Sequence, residues 1–125
     1  IFKIDKVLQE VNRILKPNGI LEVAVPDVRW ICERMVKGDW NTMANVSWLN
    51  PTDDPWSNAM SYLFGGFHHP TEYTMEGMGH VNGFDEESLT KLLVKNGFTD
   101  CKRVPDMRNP EPARGSVLKM IAVKK

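Results

Sequence analysis

The side chains best suited to chemistry are the histidines His68, His69 and His80, which lie in or just after a stretch crowded with aromatic residues. An imidazole titrates near neutral pH, so each is a candidate general base that removes a proton from a hydroxyl. His80 stands just before a helix start and is the first choice, with His68 and His69 second. Each also has the ordinary reading of a surface or hydrogen-bonded histidine. A metal site would need Glu72 or Asp27 to join them. His-His followed by a histidine eleven residues after His69 is no recognised ligand spacing, so no metal is expected. Asp27 closes an apolar strand and is either a group on a functional edge or the cap of the next helix. Arg108 and Arg114, in the proline-rich segment PDMRNPEPARG, could meet an anionic substrate group or simply be solvated. Trp40, Trp48 and Tyr73 fit no clear periodicity and are candidates to line a sugar or aromatic pocket. No nucleophile elbow, phosphate loop or CxxC pair is present.

These residues need elements to position them. Ile4, Val7, Leu8, Val11, Ile14 and Leu15 recur at helical steps, and Pro17 bars helix at Lys16. Asn18-Gly19 supplies left-handed turn residues. Ile20 to Val25 reads as a strand interrupted only by Glu22, so both faces are expected to be covered, as inside a parallel sheet. Asp27 then caps a helix with the stripe Val28, Ile31, Cys32, Met35 and Val36, stopped at Gly38. A further helix is expected after Asp54-Pro55, ending at Gly65-Gly66. Another begins at the Asp85 cap with a Phe84–Leu89 staple and ends at Gly97, with Phe98 packing back on Leu93. Strands follow at about Thr99 to Val104 and Ser116 to Lys124.

Composition describes a single domain of 125 residues, 42% hydrophobic and 26% charged. Sixteen basic residues balance sixteen acidic ones, which argues against nucleic-acid binding through bulk charge. No apolar run is long enough to span a membrane, and no signal-peptide pattern is present. Two distant cysteines, Cys32 and Cys101, read as reduced, buried thiols of a cytoplasmic protein. The first residue, Ile1, lies inside an apolar periodic segment, the mark of a piece of a longer chain.

"VLQEVNRILKPNGILEVAVPD" resembles the block after the fourth strand of class I S-adenosylmethionine-dependent methyltransferases, where a helix carrying "L-x-E-x-x-R-x-L-K-P-G-G" leads into a strand. "HVNGFDEESLTKLLVKNGFTDCKRV" resembles a later block of the same family, "F-D-x-x-x-L-x-x-L-L-x-x-x-G-F". Leu8, Glu10, Arg13, Leu15, Lys16, Pro17, Gly19, Phe84, Asp85, Leu89, Leu92, Leu93, Gly97 and Phe98 carry the match, and Asn18 departs from the usual first glycine. Every one of them also has a purely structural job, and none performs chemistry.

The resemblance implies an α/β, partial Rossmann-like fold. It implies a three-stranded mixed sheet with the last strand antiparallel and central, and helices on both faces. It implies methyl transfer from S-adenosylmethionine to a small molecule, perhaps a sugar hydroxyl, in a longer parent. The family's glycine-rich cofactor loop has no counterpart: "GMGHVNG" has the wrong spacing and no preceding strand. No cofactor-binding residue is therefore expected in this chain, and the chain alone is expected to be inactive. Two alternatives stand beside this reading: a non-catalytic self-associating module, and a small histidine metal-binding protein. An unpaired edge on Ile20–Val25 and apolar surface around Ile1, Phe2 and Ile4 lead us to expect a homodimer.

Overall fold

A computed structural model describes residues 2–39, 63, 82–107 and 115–125. Among these, helix α1 (Phe2–Ile14) precedes strand β1 (Ile20–Pro26) and helix α2 (Val28–Lys37). Helix α3 (Glu86–Lys95), strand β2 (Phe98–Arg103) and strand β3 (Val117–Lys124) complete the order. The helix expected after Asp54-Pro55 lies outside the described residues.

The turn between α1 and β1 forms as its residue types demand. Asn18 takes the left-handed conformation at φ 60°, and the Gly19 amide donates to the Lys16 carbonyl at 2.8 Å. A Cβ on Gly19 would lie 2.8 Å from that same carbonyl oxygen, so the tight return needs a glycine there. At the other end, Gly38 closes α2 at φ 65°, as its position suggests.

The sheet order is β1-β3-β2, and β3 is antiparallel to both neighbours. The last strand is thus antiparallel and central, as expected. The sheet is not mixed, however. β1 and β2 run the same way, but β3 separates them, so both ladders among the described residues are antiparallel.

Leu8 of α1 joins Leu89 and Leu93 of α3, Phe98 of β2, and Leu118, Met120 and Ala122 of β3 in one buried cluster. Side chains alternate along a strand, so Leu118, Met120 and Ala122 mark one face of the sheet. Helices α1 and α3 therefore lie on the same face. The expectation of helices on both faces fails for this pair. Polar bonds fasten the two helices together: Asn12 donates to the carbonyls of Asn96 and Gly97 at 3.2 and 3.1 Å, and Asn96 and Lys95 both donate to Asp5 at 2.9 Å.

Strand β1 is not covered on both faces. Leu21, Val23 and Val25 are half-buried against the cluster, whereas Ile20, Glu22 and Ala24 are exposed. Glu22 interrupts the apolar run because it belongs to a solvated face, where it pairs with Lys119 at 2.9 Å. The stripe of α2 is also rotated from expectation. Trp30 and Ile31 are the buried residues, while Cys32 and Val36 are exposed. Cys32 is thus not a buried thiol. Cys101 is half-buried, and desolvation raises its thiol above the usual range.

Candidate functional site

The carboxyl end of β1 meets four other segments. The Asp27 amide donates to the Ser116 carbonyl ahead of β3, and the Val28 amide donates to the Phe84 carbonyl ahead of α3, each at 3.0 Å. Asp27 and Phe84 form a parallel bridge. The first turns of α2 and α3 are thereby brought side by side, and Arg103 arrives from the end of β2.

Asp27 is buried to 1% exposure, and both its carboxylate oxygens are engaged. Oδ1 accepts from the Trp30 amide at 3.0 Å, which caps α2. Oδ2 accepts from Arg103 Nη1 at 2.8 Å. Arg103 Nη2 reaches the Val117 carbonyl at 3.4 Å, and its Nε is buried with no partner among the described residues. A buried carboxylate is tolerated here because a guanidinium and a helix N-terminus both satisfy it.

Around this pair opens a polar cleft of about 520 Å³. The α2 side supplies Arg29 and Glu33, and the α3 side supplies Asp85, Glu86, Glu87, Thr90 and Lys91. Arg29 bridges to Asp85 at 2.7 Å, which links the caps of the two helices. Asp85 accepts from the Ser88 amide at 2.9 Å, and Ser88 Oγ accepts from the Asp85 amide at 3.0 Å, a capping box. These Ser88 bonds, with help from Arg29, hold the Asp85 carboxyl below its usual range. Glu86 stands 3.8 Å from Arg103 and is half-exposed. Further along α2, the Arg34 guanidinium lies 5.1 Å from the Trp30 ring centroid.

Of the residues singled out in the sequence, Asp27 alone falls within the described structure, on the edge expected for it. Its chemistry is already committed to the cap and the ion pair, so it is not poised as a base. His68, His69, His80, Trp40, Trp48, Tyr73, Arg108, Arg114 and Glu72 lie outside the described residues. Among those that are described, no group of three or more His, Cys, Asp or Glu side chains could hold a metal ion. No described helix is long and apolar enough to cross a membrane.

Sequence reasoning missed Arg103, the partner that defines the site. The cause is a bulge in β2, where Asp100 and Cys101 together face Ala122 and Asp100 sits at φ 50°. An unbroken alternation from Phe98 would turn Asp100 and Lys102 into the core. The bulge shifts the parity, so that Arg103 pairs with Met120 on the core face. Two charges at inward positions were the available signal.

An S-adenosylmethionine ribose would need a free carboxylate and a closely approaching glycine loop. The carboxylate best placed, Asp27, has no oxygen to spare. The described residues do not fit that cofactor.

No protein-family model, curated protein or solved structure matches the chain.

Proposed function

We propose that the chain is the C-terminal portion of an S-adenosylmethionine-dependent methyltransferase with a Rossmann-like sheet. The parent would act on a small molecule, a sugar hydroxyl being the acceptor considered first. The 125 residues alone would not transfer methyl groups. The supporting observation is the insertion of β3, antiparallel, between two strands that run the same way and are joined by a connection containing α3. The cleft at the carboxyl end of β1 lies where open α/β sheets commonly bind ligands, which agrees with this reading.

Within this reading the Asp27–Arg103 pair is a positioning device. It fixes the start of α2 against the end of β2 and so sets the width of the cleft. Methyl donation itself would come from the cofactor in the parent, and no step is assigned to residues of this chain. The reading is tested by the coding sequence upstream of Ile1, where a strand followed by a glycine-rich loop is expected. An upstream region without them overturns the family assignment. Calorimetric titration of S-adenosylmethionine into the 125-residue chain should give no binding heat. Micromolar binding would refute the inactivity of the isolated chain.

The self-associating alternative is favoured by one specific observation, the edge of β1, which no described strand covers.

A further inference from the structure

The two edges of the sheet are not equivalent. The β2 edge is interrupted by its bulge, with Asp100 in the left-handed region and Lys102 exposed. Bulges and charges of this kind discourage strand addition. The β1 edge has neither interruption, and its seven residues pair with β3 in unbroken register.

The hydrogen bonds to β3 show which groups β1 leaves unused. The Asp27 amide donates to Ser116, and the Lys124 amide donates to the Gly19 carbonyl at 2.8 Å. Bonded positions in an antiparallel ladder recur at every second residue, so the odd-numbered residues of β1 face β3. Ile20, Glu22 and Ala24 therefore turn their N–H and C=O groups outward, and Pro26 turns out a carbonyl alone.

We propose that this edge pairs with the same edge of a second copy of the chain, antiparallel and about a two-fold axis through Val23. The register follows from the residues. In full overlap Glu22 exchanges both bonds with Ala24 of the second copy, and the Ile20 amide meets the Pro26 carbonyl. The proline, which lacks an N–H, falls at the end of the ladder, where an edge tolerates it. A one-residue slide sets outward groups against inward ones and loses the ladder. A two-residue slide in one direction puts Glu22 opposite Glu22, which is unfavourable. A two-residue slide in the other direction leaves the Ile20 and Pro26 ends overhanging.

Apolar surface borders the same edge. Asn12 holds the α3 side of α1, so Val7 and Ile14, 58% and 63% exposed, project from the opposite flank. Ile20 is 64% exposed on the reverse face of β1. An axis normal to the sheet keeps both α1 helices on one face and brings their Val7 and Ile14 flanks toward each other. The proposal uses nothing of the methyltransferase reading, and its failure leaves that reading untouched.

The test is sedimentation velocity and amide hydrogen exchange on the 125-residue chain at tens of micromolar. The expected species has twice the 14.3 kDa chain mass, with the Ile20, Glu22 and Ala24 amides exchanging as slowly as those of Leu21, Val23 and Val25. Ala24→Pro removes one outward N–H and should abolish the dimer. A monomeric wild type overturns the proposal. So does a dimer in which the three outward amides exchange fast, or one that survives Ala24→Pro. The exchange measurement decides the matter even if that variant fails to fold.

Discussion

Asp27 shows how one side chain can hold a site together without acting in it. Replacing it by alanine removes the α2 cap and strands the Arg103 charge in a buried position. Breaking a buried pair from one side costs about 3–5 kcal/mol, so Asp27→Ala should lower the urea midpoint by a corresponding amount. Asp27→Ala combined with Arg103→Leu should cost less than the two single changes added together, because the stranded charge is gone. Asp85 offers a second test, through pH. Its carboxyl is held below the usual range in the folded chain, so its contribution to stability is complete above the ordinary carboxylate pKa, near 4. That contribution disappears as pH falls through the lowered folded value. Wild type should therefore exceed Asp85→Ala by about 1 kcal/mol at pH 6 in denaturant titrations, with the gap closing toward pH 2.

The junction of α3 and β2 depends on Gly97. It adopts φ 86°, and an added Cβ would lie 3.0 Å from Asn12 Nδ2, the atom that donates to the Asn96 and Gly97 carbonyls. Gly97→Ala should therefore lower stability by about 1–2 kcal/mol, read from the thermal midpoint, and loosen α1 from α3. This junction was legible in the sequence, since glycine after a leucine-rich helix is a common stop. So were Asp27 and Asp85 as caps, Asn18 as the turn residue, and the central place of the last strand. What could not be read was the outcome of long-range pairing. The exposure of Ile20 and Ala24 depends on which neighbours β1 lacks, and the inward turn of Arg103 depends on a bulge that shifts alternation by one residue. The α2 stripe was misread for a related reason. Trp30 lies beside the expected residues on the helix, and tertiary contact, not periodicity, chose the buried side.

For the whole molecule, pairing through β1 ties stability to concentration. The dimer binds the folded state by mass action, so the thermal midpoint should rise across a hundredfold increase in protein concentration and stay constant for Ala24→Pro. The shared central strand has a further consequence, for the order of events during synthesis. β1 and β2 touch β3 and not each other, and Ile20 must find Val123 near the opposite end of the sequence. Neither ladder can begin until β3 has left the ribosome. β1 and β2 thus wait without a sheet partner through most of translation, and the last strand to be made is the one that turns two separate segments into a single sheet.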